Sequence, residues 1–477
     1  MREVSRIRRN SLFSFLSTLM RILATMLMFV GIARLYGPVS FGQFSLAHTY
    51  LILFYILADF GTDMLVATEV ARQRERTSEI IQEFAPLKLM TSLITMGAMY
   101  VVAMLFVGGQ TRVLMLILCL GILGNSGTTF LFALFKGHEQ LSFETFASFW
   151  QNIFLLVGLI LLGSMNASLS TVAVLFVVSR FAGFFILLPR ATKLFDLGSF
   201  HFRFDRWKQA LRGGLPYGLQ MLFGTLFFQL DTILLALWRG DLAVGMYQAV
   251  MRIVIIVLVV PDIIVSAVLP TLAKLHADNE KRWKEMGRLL AKTLMYFGLP
   301  FGVIFFVYAD QVISFAYGSS RYTESIPVLR LFALIVVIRY AGEAYALLLT
   351  TSQQQSKRMA TSIASTILNV VLNAYAIPRY GIEGAAGVSL ITNVFAVCAY
   401  VFLLDRRFHL SVVKIDFRQW FVVALTATFA TLLWNYGHHL VALELGLMVG
   451  FFSIMYLFVG FSPEERSLIF AMRQHVD

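Results

Sequence analysis

Charged residues are scarce in this chain of 477 residues, since Asp, Glu, Lys and Arg together make up only 14% of it. Soluble domains carry about 25% charged residues, and so few charges could not cover the surface of a soluble protein of this size. With 58% hydrophobic residues, the composition excludes a soluble enzyme, a secreted disulfide scaffold and a disordered protein. It predicts a polytopic membrane protein.

Cysteine and catalytic motifs are equally scarce. The two cysteines, Cys119 and Cys398, lie inside separate apolar runs, so they offer no disulfide framework or zinc-binding spacing and are expected to be buried thiols. The sequence contains no phosphate-binding loop, no His-Glu-x-x-His and no Gly-x-Ser-x-Gly. We therefore expect no enzymatic activity, no cofactor and no metal site.

Long apolar runs occupy most of the chain and predict an all-α fold with about 14 transmembrane helices, because each such helix needs about 20 mostly apolar residues. None of the runs shows the period-two alternation of a membrane barrel strand. The predicted spans centre on 12–33, 41–66, 84–107, 113–135, 142–163, 168–189, 214–238, 243–270, 288–308, 325–350, 358–378, 382–404, 418–437 and 441–461.

Lys and Arg are distributed unevenly between alternate connections, and this bias predicts the orientation. One set of connections holds only Arg34, Arg112, Arg239, Arg321 and Arg379, whereas the N-terminus and the other set hold most of the remaining basic residues. Because basic residues accumulate in cytoplasmic loops, we expect an even number of spans and both termini in the cytoplasm. The topology accounts for the net charge of +12, so no nucleic-acid partner is expected.

The two halves of the chain resemble each other. Gly42-Gln-Phe-Ser-Leu-Ala47 matches Gly245-Met-Tyr-Gln-Ala-Val250, and an aspartate, Asp59 or Asp262, follows 17 residues after each glycine. This pattern predicts a parallel repeat of two pseudo-symmetric six-helix lobes. The expected organisation is an N-terminal lobe over 1–189, a cytoplasmic linker over 190–213, a C-terminal lobe over 214–404, and two extra spans with a tail over 405–477.

Backbone-breaking residues also occur inside the spans. Pro261 in the eighth span removes a helical hydrogen bond and is predicted to permit bending. The run Gly381-x-x-Gly384-x-x-Gly387, which opens the twelfth span, is interpreted as small-residue packing and not as a nucleotide-binding fingerprint, because no strand precedes it.

Several motifs in order along the chain carry a family resemblance. They are Arg34-Leu-Tyr-Gly-Pro-Val-Ser-Phe-Gly-Gln-Phe44, Ala58-Asp-Phe-Gly61, Glu69-Val-Ala-Arg72, Val244-Gly-Met-Tyr-Gln-Ala-Val-Met-Arg252, Ala267-Val-Leu-Pro-Thr-Leu272 and Tyr317-Gly-Ser-Ser-Arg-Tyr-Thr-Glu-Ser-Ile-Pro327. With them the chain resembles Wzx-type polysaccharide (O-antigen) flippases of the multidrug/oligosaccharidyl-lipid/polysaccharide (MOP) exporter superfamily.

The resemblance implies two six-helix lobes around a central cavity, followed by two C-terminal helices. It implies transport of a polyprenyl-pyrophosphate-linked oligosaccharide from the inner to the outer leaflet of the cytoplasmic (inner) membrane, by alternating access, for surface polysaccharide assembly. Membrane lipids and polysaccharide polymerase machinery are the further partners that it implies.

Basic residues inside the spans are the candidates for binding the cargo, because an ionisable group at bilayer depth is costly unless it faces water or a partner. Arginine stays protonated and binds phosphate oxygens in pairs, which suits a pyrophosphate. The predicted substrate-binding cations are Arg21, Arg180, Arg252 and Arg339. By span and depth, Arg21 and Arg252 match cavity cations of relatives that carry lipid-linked cargo.

Purely structural roles are the alternatives: Arg252 could pair with Asp231, and Arg339 with Glu343 one helical turn away. Acidic residues are the candidates for gating or ion coupling, namely Asp59, Asp262, Asp231 and Glu343. Asp59 and Asp262 near the inner ends of their spans suit a cytoplasmic gate that pairs with basic residues on closure, although both could instead be structural.

Amide side chains in the spans could bind sugar hydroxyls or simply join helices. They are Gln220, Gln229, Asn152, Asn369, Asn373 and Asn393.

Two other functions compete with a flippase. A multidrug or cation exporter of the same fold would favour buried acids for its cationic cargo, and the arginines in the spans argue against it. A membrane polysaccharide polymerase or ligase would need a large outer loop, and the longest outer connection, 309–324, is too short to form one. The sequence leaves the glycan and the energy source open.

Overall fold

The computed structural model describes residues 2–195, 204–318, 320–408 and 441–455, with scattered positions between 422 and 432. In these residues every regular element is helical, which confirms the predicted all-α class. The helices are α1 (Arg2–Asp59), α2 (Thr62–Arg72), α3 (Thr77–Phe106), α4 (Gly109–Leu118), α5 (Gly121–Gly137), α6 (Leu141–Ser164), α7 (Leu169–Leu194), α8 (Phe204–Asp278), α9 (Glu280–Val307), α10 (Ala309–Tyr317), α11 (Ser325–Thr351), α12 (Gln355–Phe408) and α13 (Val441–Met455).

Nine helical segments of the described chain are long and apolar enough to cross a membrane. They correspond to all of the predicted spans up to residue 404, because Ser17–Asp59, Met221–Asp278 and Gln355–Phe408 each hold two predicted runs. The last two predicted spans, 418–437 and 441–461, lie partly outside the described residues, as do most of the tail and the middle of the segment 190–213. The count of 14 therefore stays a prediction.

The first long helix, α1, is a hairpin and not a straight rod. In a straight helix, 19 residues would separate Phe29 from His48 by about 28 Å, yet their ring centroids lie 5.0 Å apart. The chain turns back at Gly37, whose φ of 78° is the left-handed conformation that glycine adopts without strain. Two antiparallel spans result from one continuous run of helix, as the two apolar runs predict.

Two other long helices contain the same kind of reversal. In α8, Tyr247 donates a hydrogen bond to Asp231 at 2.7 Å across the left-handed Gly240. In α12, Gly381 is the left-handed residue, and a Cβ on Gly384 would lie 2.5 Å from the carbonyl oxygen of residue 376. We expected small-residue packing of the whole run. Gly381 instead makes a turn, whereas Gly384 does lie in close contact with the backbone of residue 376.

The chain divides into two compact units, Met1–Gln248 and Ala249–Asp477. The first has a core of apolar side chains from α2, α3, α5 and α7, among them Val70, Ile81 and Phe135. In the second, Leu299 of α9 packs with Phe452 of α13. Many large apolar side chains of both units are exposed, as expected for helices whose outer faces contact lipid. The predicted lobe boundaries remain a prediction.

The glycines that begin the two matching motifs lie against each other within the first unit. A Cβ on Gly42 would collide with the Asp241 carbonyl oxygen, and a Cβ on Gly245 would collide with the Pro38 carbonyl oxygen. Beside this contact, Gln43 donates a hydrogen bond to Asp241 at 3.0 Å. Two backbones cross here at a distance that leaves no room for side chains, which explains the glycine at the start of both motifs.

In the second unit, the predicted flexible point of α8 is tied to α11. Pro261 has no backbone N–H, so the Val257 carbonyl, one turn earlier, loses its usual helical donor. The hydroxyl of the buried Tyr340 donates to that oxygen at 2.5 Å. A side chain of another helix thus replaces the hydrogen bond that proline removes.

The expectation that both cysteines are buried is wrong for one of them. Cys119 is buried in the first unit, but Cys398 is exposed on α12. An apolar run shows that a residue lies in a span, but it does not show which side of that span faces the protein.

Candidate functional site

Arg21 lies on α1 in a polar patch of the first unit. Its guanidinium is 3.6 Å from the Glu144 carboxylate on α6, and its side chain is 43% exposed. It also donates to the Thr18 hydroxyl at 3.4 Å. The buried Ser17, one turn before it, lies 3.5 Å from both Glu144 and Ser148. Glu144 and Thr18 therefore hold the Arg21 side chain in place, while part of its surface stays accessible.

Arg180 lies on α7 of the same unit and stands over an aromatic cluster. Its guanidinium carbon is 4.3 Å from the centre of the Phe176 ring, and this ring meets Phe44 and His48 edge-on. The guanidinium therefore has a flat apolar support on one face, which favours cation–π stacking. Its buried Nε has no hydrogen-bond partner among the residues whose side chains the structure describes.

Arg21 and Arg180 are the two predicted substrate-binding cations of the first unit. Their positive charges are close enough to act on each other, and Glu144 is the carboxylate that pairs with Arg21. Among the described side chains, Glu144 pairs with Arg21 and no carboxylate pairs with Arg180, so the two guanidinium groups keep an excess positive charge at membrane depth. A site of this kind favours an anion, and a guanidinium binds phosphate oxygens through parallel N–H donors.

A second charged cluster in the Ala249–Asp477 unit contains three of the predicted residues. Arg339 and Glu343 on α11 form the expected pair one turn apart, with nitrogen and oxygen 3.5 Å from each other. The charges of both act on Asp262, which is exposed on α8, as does the charge of Arg358. This cluster holds two positive and two negative groups, so it is balanced.

Arg252 is buried on α8 beside the end of α10. It interacts electrostatically with Tyr317, whose hydroxyl donates to the Ala249 carbonyl oxygen at 2.7 Å. Burial raises the pKa of the Tyr317 phenol, so the ring stays neutral and keeps its donor. The tyrosine fixes the backbone one turn before Arg252, which limits where the guanidinium can point.

Asp231 lies in the first unit and accepts a hydrogen bond from the Tyr247 hydroxyl at 2.7 Å within the α8 hairpin. The next residue, Thr232, accepts one from Gln248 at 2.6 Å. Both bonds hold the two arms of the hairpin together, which is a structural use of polar groups.

Asp59 belongs to a buried ionic triad with Lys88 and Asp63. Of these three residues, only Asp59 is among the candidates predicted from the sequence. The Lys88 ammonium on α3 donates to the Asp59 carboxylate and, at 2.8 Å, to the Asp63 carboxylate on α2. The Lys88, Asp59 and Asp63 side chains are only 5%, 7% and 19% exposed. Lys88 is near the start of its apolar run, where a lysine is normally interpreted as reaching the membrane surface. The sequence feature that could have revealed Lys88 as a buried residue is its position inside the apolar run.

The amide side chains mostly serve the helices themselves. Gln229 accepts a hydrogen bond from Thr49 at 3.0 Å and so joins two arms of the first unit. Asn152 and Asn393 each donate to the carbonyl oxygen one turn earlier in their own helices, and Asn373 donates to Asn369 at 3.0 Å. The Gln220 side chain lies outside the described residues.

No metal ion is expected, and within the described residues no group of three or more His, Cys, Asp or Glu side chains is placed to hold one.

Comparisons with known proteins identify the relatives of this chain. The sequence profile described as polysaccharide biosynthesis protein matches residues 7–276, and that described as MatE matches residues 216–375. The chain is 22% identical over 206 residues to the probable low-salt glycan biosynthesis flippase Agl15 of Haloferax volcanii. That match covers 42% of this chain and 42% of the relative.

Two solved structures share the fold. The lipid II flippase MurJ, in an inward closed conformation, matches with a TM-score of 0.76 at 14% identity, over 96% of this chain and 99% of that one. A multidrug resistance MATE family transporter of the MOP superfamily, in an inward-facing conformation, matches with a TM-score of 0.70 at 17% identity, over 83% and 96%. At these identities the likeness concerns the fold alone.

Proposed function

Because this chain belongs to the polysaccharide biosynthesis protein family, we propose that it flips a lipid-linked oligosaccharide across the membrane. Its fold is that of the multi-pass transporters of the MOP superfamily. The cargo is a polyprenyl-pyrophosphate-linked oligosaccharide of the Wzx type, moved by alternating access from the inner to the outer leaflet of the cytoplasmic membrane. Both termini lie in the cytoplasm, in keeping with the basic connections.

The excess positive charge around Arg21 and Arg180 is the observation that carries this proposal. A bare pyrophosphate in hydrocarbon would lose its hydration at a very high cost in free energy. The Arg21 and Arg180 guanidinium groups replace part of that hydration, and the buried Nε of Arg180 supplies an unused donor among the described side chains. The lipid tail can meanwhile stay in the bilayer.

Arg252 and Arg339 of the second unit are proposed to serve the same cargo. Arg252 is buried on a backbone that Tyr317 holds in place, and Arg339 is offset by Glu343. The Glu343 carboxylate neutralises much of the Arg339 charge before any phosphate arrives, so we expect Arg339 to offer the cargo only part of its charge. The polymerase machinery for surface polysaccharide is the partner expected to consume the flipped product.

A cation exporter of the same fold is the main competing function, since MATE transporters share the fold. Its cargo would be repelled by the Arg21 and Arg180 charges. Buried carboxylates of the first unit are also unsuited to cationic cargo, because Lys88 already donates to both Asp59 and Asp63, and Asp231 already accepts from Tyr247. The charges of the first unit therefore favour anionic cargo.

The test measures lipid-linked oligosaccharide on each membrane face in cells that depend on this chain, using a lectin that cannot cross the membrane. Arg21→Ala and Arg252→Ala are compared with the wild type at matched expression. We expect inner-face accumulation and at least about tenfold less outer-face delivery in each, the loss expected for one charged hydrogen-bond contact. Arg21→Lys should be intermediate, since it keeps the charge but not the planar fork.

Arg330→Ala is the matched control, because Arg330 is an arginine of α11 whose exposed side chain pairs with Asp310 at 3.4 Å. It should deliver cargo as the wild type does. Normal delivery by both Arg21→Ala and Arg252→Ala would contradict the proposed role of the arginines. Normal delivery of the glycan in cells that lack the chain would contradict the flippase function itself.

A further inference from the structure

The buried triad of Lys88, Asp59 and Asp63 does not balance its charge. One ammonium faces two carboxylates, so the ionised triad carries one net negative charge in a place that is largely closed to water. Burying an uncompensated charge is costly, and proteins normally avoid it by protonating a group. A proton is the smallest ligand that would neutralise this site.

The two carboxyl groups are also close neighbours, because the single Lys88 nitrogen donates to both of them. Two ionised carboxylates that share one ammonium repel each other, whereas a carboxylic acid can donate a hydrogen bond to a neighbouring carboxylate. Protonation of one of the two carboxylates removes this repulsion.

The surrounding donors distinguish the two carboxylates. Asp59 accepts from the backbone N–H groups of Gly61 and Asp63, both at 3.2 Å, from the Thr62 hydroxyl at 3.2 Å and from Lys88. Those donors stabilise its ionised form. Asp63 receives the second Lys88 bond at 2.8 Å and is the most exposed member of the triad. The proton therefore belongs on Asp63, where it can exchange with solvent.

The triad sits where a change of charge can act on the backbone. α1 ends at Asp59 and α2 begins at Thr62, and between them Phe60 and Gly61 have φ of 46° and 80°. A left-handed conformation is strained for phenylalanine and persists only where its surroundings impose it. The hydrogen bonds of Asp59 to Gly61 and Thr62 are part of those surroundings.

We propose that Asp63, supported by Asp59 and Lys88, is a site for one exchangeable proton, and that gain and loss of this proton drive the transport cycle. Among the described side chains, the other polar groups that face the site are Tyr55 of α1, which hydrogen-bonds Thr129 of α5, and the Thr62 hydroxyl, 3.4 Å from Lys88. The Tyr55 ring centre is 6.0 Å from the Lys88 nitrogen. The coupling part rests on the proposed function, while the proton site stands independently of it.

Infrared difference spectroscopy of the full chain in detergent tests the proton site directly. In the wild type, a carboxylic-acid carbonyl band should remain above about pH 5, where exposed carboxyl groups have lost their protons, and disappear at higher pH. This band should be lost in Asp63→Asn, a nearly isosteric change that imitates the protonated acid. It should remain in Asp310→Asn, which alters an exposed carboxylate that pairs with Arg330.

Persistence of the same band in Asp63→Asn would contradict the proton site, as would its absence from the wild type. Asp59→Asn serves as a second variant, since it removes the carboxylate that accepts from the acid. It should shift the pH at which the band disappears without abolishing the band. If Asp59→Asn instead abolishes the band and Asp63→Asn leaves it intact, the assignment to Asp63 is wrong.

Coupling is tested separately by oligosaccharide delivery at two external pH values, with the lectin assay. The wild type should deliver at a rate that depends on the pH gradient, and Asp63→Asn should deliver less and lose at least half of that dependence. Equal dependence in both would contradict coupling through this site while leaving the flippase intact. Asp310→Asn should keep the full dependence, and an equal loss of dependence in Asp310→Asn and Asp63→Asn would contradict a coupling that is specific to the triad.

Discussion

Asp59 and Asp262 occupy matching places in the sequence, 17 residues after Gly42 and Gly245, yet their surroundings differ. Asp59 is 5% exposed and bound by Lys88. Asp262 is exposed, and the nearby charges of Arg339 and Glu343 largely offset each other. Matching positions in the sequence therefore do not have equivalent chemistry, because the partner of Asp59 comes from α3 whereas the charges near Asp262 come from α11 and α12.

Lys88 accounts for the difference between the two aspartates, and its removal should have the largest effect on stability. Lys88→Met leaves Asp59 and Asp63 without their countercharge, which for a broken buried ion pair costs about 3–5 kcal/mol of folding free energy. We expect a strongly lowered thermal midpoint in detergent, measured by fluorescence-detected size-exclusion chromatography. Arg339→Met in the second unit is the matched change, and its pair with Glu343 is more accessible to water. A loss in Arg339→Met equal to that in Lys88→Met would remove the contrast between the two regions.

A neutral hydrogen bond beside Asp262 should have the next largest effect. Tyr340→Phe removes the donor to the Val257 carbonyl, and leaving a buried acceptor unsatisfied costs about 1–3 kcal/mol. We expect a lower thermal midpoint and faster backbone hydrogen exchange near Pro261. The control is Pro261→Ala, which restores the helical donor to Val257.

In a Pro261→Ala background, Tyr340→Phe should have little effect, because the helix then supplies the donor itself. An equal loss in both backgrounds would show that Tyr340 stabilises the chain by packing and not through this hydrogen bond. That result would also remove the link between α8 and α11 that we infer from the structure.

The smallest effect is expected at Asp262 itself. Asp262→Asn should change the free energy of unfolding by no more than about 0.5 kcal/mol, as surface substitutions usually do, whereas Asp59→Asn should lower stability measurably because Asp59 also holds the turn at Gly61 and Thr62. Comparing the thermal midpoints of the two variants at the same pH measures the asymmetry directly. Two equal midpoints would mean that the exposed and buried positions are energetically alike.

The fold could be predicted largely from the sequence because hydropathy and glycine placement are local signals. The apolar runs anticipated the arms of α1, α8 and α12, and short polar connections anticipated the reversals near Gly37 and Gly240. The side of a helix that faces lipid could not be predicted in the same way. Nothing in the run around Cys398 shows which side meets lipid, and the structure exposes that thiol.

The candidate site was less predictable, because it depends on which helices become neighbours. The pair of Arg339 and Glu343 could be found from the spacing of one helical turn. The partners of Arg21 and Asp59 could not, since Glu144 and Lys88 are far away along the chain. Net charge at each site, which decides what it can bind, becomes countable only when those neighbours are known.

The crossing of Gly42 and Gly245 has a consequence for the order in which the chain is made. Gln43 and Asp241, which bond beside it, are 198 residues apart, so at about 5–20 residues per second the ribosome needs about 10–40 s to supply the second half of the contact. The hydrogen bond between Thr49 and Gln229 likewise cannot form until Gln229 has been synthesised. During this interval the first hairpin already lies in the bilayer with polar side chains that have not met their final partners, so the N-terminal unit is completed only when the arms of α8 have been inserted.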